Sequence, residues 1–232
     1  MHRYVVRPRL AGHHVRDAHV AVLELASGIE GHPDNVAACL AGGLTIAWLA
    51  HGRPRMMRLD PLPSITPVVC VAPAAVRTDM VRGLLPGRVP HKDAAANAGR
   101  SALLVAALTQ PGAGLAEEAG VSLARGDVPT GRAAVLLDAT EDWLHQDYRA
   151  GAMPETHDLV RRLRAAGLPA VVSGAGPSVL AFLGARGEPE YRHLLDSLGS
   201  IVTETGIAWR ISSLDVERQG ARILRPEPPQ GC

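Results

Sequence analysis

The groups best able to do chemistry crowd one bend. In "EGHPDN" (30–35), two carboxylates, an imidazole and an amide fall within six positions, and an apolar run with Gly42 and Gly43 follows. Asp34 or Asn35 capping the next segment is the simplest use for such groups. Four polar side chains around residues 31–33 exceed what a cap requires, and a carboxylate with an imidazole and an amide can orient a small polar substrate.

A second candidate is "SGAGPS" (173–178). Gly174 and Gly176 permit backbone angles that a Cβ forbids, Ser173 and Ser178 offer hydroxyls, and successive amides can form an anion-binding concavity. A plain β-turn is the competing reading. No Gly-Lys-Ser/Thr follows, so this is not a Walker loop. In "DATEDWLHQDYR" (138–149), His145 and Arg149 lie four apart and share a helix face if the helix lasts that long. Arg149 could hold a carboxylate through its planar fork; a surface pair with Glu141 or Asp142 is the alternative. Arg77 and Arg82 carry the same two readings. Asp93, Asn97 and Arg100 fall on one face of a predicted helix, which a solvated face also explains. His13, His14 and His19 cluster without a fourth ligand at a sensible spacing, so no metal is expected there.

These residues need elements to place them. Residues 18–27 read as a short helix ended by Gly28, and 42–50 and 65–72 as strands around a Pro-rich turn. "RTDMVRGLLP" (77–86) reads as a short helix, 92–110 as the surest helix, and "GLAEEAGVSLA" (114–124) and 131–148 as two more. Residues 157–167 are amphipathic and end on Gly167. Then come a strand, a Gly-rich turn and a strand over 169–184, a helix from 189, and terminal strands in "GIAWRISSLD" and "ARIL". The predicted class is α+β: a ferredoxin-like antiparallel sheet backed by helices. The expected division is 1–60, 61–220 and a disordered tail, 221–232.

Composition sets outer bounds. Of the 232 residues, 24 are cationic and 23 acidic, so the chain lacks the clustered positive charge that nucleic acid or a membrane surface demands. No apolar run approaches the roughly 20 residues of a spanning helix, and the first residues lack the apolar core of a signal peptide. Cys39, Cys70 and Cys232 are odd in number with no CxxC pair, which points to a reduced, cytoplasmic setting.

"EGHPDNVAACLAGG", "RTDMVRGLLP", "KDAAANAGRSALLVAAL", "DWLHQDYRAGAMPE" and "SGAGPSVLAF" occur in an order and spacing that resembles the homoserine kinases, relatives of galactokinase and mevalonate kinase. The resemblance covers about residues 18–215 and implies a partial N-terminal kinase domain ahead of the C-terminal sheet. It implies phosphorylation of the side-chain hydroxyl of L-homoserine to O-phosphohomoserine, a step towards threonine, using ATP and Mg2+. It implies that Glu24 holds the metal. Asn35 stands where mevalonate kinase carries a catalytic aspartate. His32, Arg82 and Arg149 resemble the residues that bind the amino acid, with Asp34 a candidate acceptor for its ammonium. The turn Ser173, Gly174, Ala175, Gly176 and Ser178 resembles one that supports the phosphate-binding loop. Neither nucleic acid nor membrane is implied as a partner; a second copy of the chain is a possible one.

One departure stands out. The superfamily's Pro-x3-Gly-Leu-Gly-Ser-Ser-Ala loop belongs upstream of "EGHPDN", where this chain has "MHRYVVRPRLAGHHV". A start lying upstream, a decaying gene or a different purpose for the fragment would each account for this. The expected consequence is impaired kinase activity for the chain as written. The alternative readings are a non-catalytic amino-acid-binding or interaction module, and a kinase of the same superfamily acting on another small alcohol, against which "EGHPDN" argues.

Overall fold

The structure, a computed structural model, describes residues 15–74, 83–111 and 131–222. The chain divides into two compact units, Met1–Asp60 with Val216–Cys232, and Pro61–Asp215. Residues from Val216 therefore belong with the first unit, whereas the sequence reading ran the second domain on to 220.

In the first unit, helices α1 (Val15–Glu30) and α2 (Asp34–Ala41) pack on a hairpin of β1 (Leu44–Ala50) and β2 (Arg53–Leu59). α1 runs past Gly28, because a glycine inside a helix costs only about 1 kcal/mol. The helix stops at Gly31, whose φ is 89° and whose N–H donates to the Ser27 carbonyl at 2.9 Å. Leu23, Ala37 and Leu40 form the small core, with Ala47 and Met56 from the hairpin against it. β2 escaped the sequence reading, since "RPRMMRL" is polar and contains a proline. Its pairing supplies what its composition does not: the register runs from Leu44–Leu59 to Ala50–Arg53. His51 (φ 51°) and Gly52 (φ 74°) give the tight turn both positive angles that a two-residue hairpin of type I′ needs.

Residues 216–222 close this unit as a strap. Gly43 N–H donates to the Glu217 carbonyl at 2.7 Å, and Ala221 N–H to the Leu40 carbonyl at 3.2 Å. Arg58 donates through Nε to Ala41 O and through Nη2 to Arg218 O, each at 3.1 Å, and through Nη2 to Asp60 Oδ1 at 2.8 Å. The strap and Arg58 thus satisfy carbonyls that the end of α2 leaves open. The predicted strand "ARIL" does not form at 221 and 222; its other two residues, like the tail 223–232, lie outside the described residues.

The second unit contains β3 (Thr66–Val71), α3 (His91–Thr109), α4 (Gly131–Ala139), the one-turn α5 (Gln146–Arg149), a 3-10 turn (Ala150–Ala152), α6 (Pro154–Ala165), β4 (Ala170–Val172), β5 (Val179–Leu183), α7 (Pro189–Glu204) and β6 (Arg210–Ser213). Its sheet has the order β4-β5-β3-β6 with every neighbour antiparallel. With α6 and α7 as the two crossovers, this is the ferredoxin-like arrangement. Alternation places Thr66, Val68 and Cys70 of β3, and Val179, Ala181 and Leu183 of β5, on one buried face. Leu159, Val160 and Leu163 of α6 and Tyr191, Leu198 and Val202 of α7 complete the core there. The predicted helices at 77–86 and 114–124 fall largely or wholly outside the described residues.

Candidate functional site

The bend at 30–35 is the corner between α1 and α2. Pro33 is the N-cap of α2, and no side chain caps that helix. Asp34, at the first helical position, accepts the Asn35 N–H at 2.8 Å and is hydrogen-bonded to Nδ1 of His32. Its carboxylate therefore orients a half-buried imidazole while sitting where the helix dipole favours negative charge. Among the described residues, the exposed side chains of Asn35 and Glu24 make no hydrogen bond. The corner therefore exposes a carboxylate and a carboxamide beside a half-buried imidazole.

In the second unit, helix α4 stops at Ala139 rather than running to 148, so His145 and Arg149 do not share a helix face as predicted. Two sets of side-chain bonds break the helix. Thr140 Oγ1 turns back to the Leu136 carbonyl at 2.7 Å, and Asp142 accepts the N–H groups of Leu144 and Gln146, both at 2.9 Å. A side chain that offers the backbone these bonds competes with the helix ladder. His145 becomes the N-cap of α5, with Nδ1 3.2 Å from Asp142 Oδ1. Glu141 pairs with Arg100, whose guanidinium also lies 4.3 Å from the Trp143 ring centroid, and Asn97 Oδ1 accepts the Trp143 N–H at 2.9 Å. Asn97 and Arg100 are thus not a bare solvated face: they hold the segment that leads into α5.

Arg149 is one of four half-buried arginines among the described residues of this unit, with Arg100, Arg132 and Arg164. Arg132 gives its guanidinium to the carbonyls of Ala107, Gln110 and Pro111 at the end of α3. Arg164 bonds Thr140 Oγ1 and Leu137 O at 2.8 and 2.7 Å, and burial lowers its pKa. Among the described residues, Arg149 makes one long contact, Nη1 to the Gly174 carbonyl at 3.5 Å, and its buried Nε, like that of Arg100, has no partner. A buried N–H of a cation without an acceptor is costly, and a carboxylate is the acceptor whose shape fits a guanidinium edge.

The turn that Arg149 touches is closed on itself. Ser173 N–H donates to Ser178 O at 2.8 Å and Gly176 N–H to Ser173 O at 3.0 Å, so these two amides are not available to an anion. Gly174 and Gly176 have φ of 60° and 89°, and the Gly176–Pro177 peptide is cis. A side chain at Gly176 would strike Met153 Sδ, 2.5 Å from an ideal Cβ. Thr156 Oγ1 of α6 donates to the Pro177 carbonyl at 2.7 Å, and Gln146 Oε1 accepts the Val172 N–H at 2.7 Å. The turn is therefore a buttressed element, gripped from α5 and α6. Sequence reasoning missed Gln146, Thr156 and the bonds of Asp142 to the backbone entering α5; the tendency of an Asp to bond the N–H two residues on was the available signal.

Arg82, predicted to bind the amino acid, lies outside the described residues, as does Arg77. Among the described residues no group of three or more His, Cys, Asp or Glu could hold a metal. Glu24 offers a single exposed carboxylate. That donor set fits Mg2+ held chiefly by phosphate oxygens, which needs one or two protein carboxylates, and does not fit a metal caged by the protein alone.

Residues 121–198 match the family described as GHMP kinases C terminal. Homoserine kinase from Streptomyces avermitilis is 48% identical over 204 residues, 88% of this chain and 57% of that protein. Homoserine kinase from Leifsonia xyli subsp. xyli is 42% identical over 204 residues, 88% of this chain and 55% of that protein. The chain thus spans little more than half the length of these relatives. The crystal structure of homoserine kinase from Cytophaga hutchinsonii aligns with a TM-score of 0.68 at 19% identity, covering 90% of this chain and 60% of that one; this likeness is one of fold.

Proposed function

We propose that this chain, a relative of the homoserine kinases with a GHMP kinase C-terminal domain, carries amino-acid-binding groups of an ATP-dependent kinase that phosphorylates the hydroxyl of L-homoserine. The observation that carries the reading is Arg149: a half-buried guanidinium beside the 173–178 turn, with a buried Nε that lacks an acceptor. A zwitterionic amino acid supplies that acceptor through its carboxylate.

The remaining groups take complementary roles. Arg82 adds a second guanidinium for the carboxylate. The resemblance makes His32 and Asp34 of the first unit further amino-acid-binding candidates, with Asp34 a candidate acceptor for an ammonium and bonded to the His32 ring. Asn35 orients the attacking hydroxyl through its carboxamide. Phosphoryl transfer passes through a loose transition state in which positioning and charge neutralisation do most of the work, so a strong base at this position is dispensable. Glu24 is the protein ligand for Mg2+. Magnesium-bound ATP, when present, supplies the phosphoryl group and neutralises part of its charge. The cytoplasm is the setting this chemistry implies. No helix among the described residues is long and apolar enough to cross a membrane.

The 232 residues contain no Pro-x3-Gly-Leu-Gly-Ser-Ser-Ala run to cradle the ATP phosphates. These residues alone are therefore expected to release ADP slowly or not at all in a coupled assay with L-homoserine and Mg-ATP. Turnover of about 1–100 per second, the usual range for kinases, would refute the weight placed on that loop.

A further inference from the structure

We propose that Gln146 is a positioning residue: its side-chain amide ties the one-turn helix α5 to the base of the 173–178 turn and so sets where Arg149 presents its guanidinium. The inference rests on Arg149 as the carboxylate-binding residue.

α5 has four residues. A single helical turn is too short to stabilise itself, so side-chain ties help to orient it, among them Asp147 Oδ1 to His157 Nε2 of α6 at 3.0 Å. Asp142 fixes the chain entering it, through the Leu144 and Gln146 N–H groups. Asp142 in turn sits in a segment held to α3 by Asn97 and Arg100. Among the described residues, Gln146 makes the short bond from α5 to the sheet: its Oε1 accepts the Val172 N–H at 2.7 Å.

Val172 is the last residue of β4, an edge strand of the sheet. The neighbouring Ser173 N–H points inward, to Ser178 O. By the alternation of an antiparallel ladder, the Val172 N–H points outward, where no strand can receive it. Gln146 fills that vacancy. Two residues further on, the Gly174 carbonyl receives Arg149 Nη1 at 3.5 Å. Gln146 and Arg149, three apart on one turn, thus grip the chain at two positions two apart. The 2.7 Å bond is the firm one and the 3.5 Å contact the soft one. The firm tie sets the register, and the soft contact leaves the guanidinium able to turn to a ligand.

The bond uses Gln146 as an acceptor. Gln146→Glu keeps an acceptor of the same length. Gln146→Leu keeps the bulk, removes the acceptor and leaves the Val172 N–H without one. The chain and both variants are compared by amide hydrogen exchange at Val172 and by calorimetric titration with L-homoserine, with melting temperature as the control for folding. Gln146→Leu is expected to speed exchange at Val172 and to weaken homoserine binding, each by about tenfold, the scale of one lost hydrogen bond. Gln146→Glu is expected to restore both. If Gln146→Leu does not fold, Gln146→Asn, whose acceptor is one methylene short, replaces it. Unchanged exchange in the acceptor-less variant overturns the tie. Faster exchange with unchanged homoserine affinity overturns the positioning role while leaving Arg149 as the carboxylate site. A parent chain that binds no homoserine overturns the reading of Arg149 and the positioning role with it.

Discussion

Among the described residues, Arg149 and Arg100 each hold a buried Nε without an acceptor, but Arg100 is otherwise occupied by Glu141 and the Trp143 ring, whereas Arg149 has only the long contact to the Gly174 carbonyl. Arg132 and Arg164 are structural, spent on carbonyls at helix and strand ends, while Arg149 holds a buried donor in reserve. That Arg149 and residues 30–35 offer polar groups was legible from residue type. Their partners were not, because an Asp or Gln side chain chooses among nearby backbone groups only once the fold has placed them. The two described cysteines give a prediction at this scale. Cys39 is exposed, and Cys70 is buried in the sheet, where burial pushes its thiol up to about 11. The thiolate is the reactive form. Cys39 is therefore expected to react with a thiol reagent in the native chain, and Cys70 only as the protein unfolds. For Cys70 the folded pKa lies above the ordinary thiol value of about 8.5. The stability that burial of the neutral thiol confers is intact below that value and is lost as pH rises through the range up to about 11. Mass spectrometry of the labelled peptides at several pH values reads out both effects; rapid labelling of Cys70 in the native chain at pH 7 would contradict them.

At the scale of elements, the periodic segments were legible and the irregular ones were not. α3 and the strands β3 and β5 follow their hydrophobic patterns closely. The helix predicted over 131–148 broke because Thr140 and Asp142 offered the backbone better partners than its own ladder. β2 has little strand character and was created by the turn at His51 and Gly52. The core under the sheet depends on α6: Leu163 is fully buried against it. Leu163→Ala is expected to cost about 2–5 kcal/mol by denaturant unfolding, and a loss below 1 kcal/mol would mean that the site collapses without a cavity. The strap over the first unit responds to acid. The hydrogen bond from Arg58, with its charge, holds the Asp60 carboxyl below the usual carboxylate range, and the Gln219 N–H does the same for Glu217. Both folded pKa values are depressed. Their stabilisation is present above the ordinary range, near about 4, and is lost as pH falls through it and below. The protection of the Gly43 and Ala221 amides, taken relative to their intrinsic exchange rates at each pH, should fall on acidification across that window, and Arg58→Met should flatten the response. Equal acid sensitivity in that variant would sink the role given to Arg58.

At the scale of the molecule, the α+β class and the ferredoxin-like order of the sheet were legible because strands and helices alternate in the sequence with clear turn residues between them. The return of 216–222 to the first unit was not, since no local pattern in "VERQGAR" announces which unit receives it. The similarity to homoserine kinases extends over most of this chain and over little more than half of each relative cited. The functional claim therefore has to be tested on the residues present. Calorimetric titration of the chain with L-homoserine, repeated with Arg149→Ala, tests it most directly. The account predicts saturable binding that the substitution weakens by tenfold or more, the scale of a charge-assisted hydrogen bond worth about 1.5–3 kcal/mol. Absence of binding, or equal affinity in the variant, would contradict it.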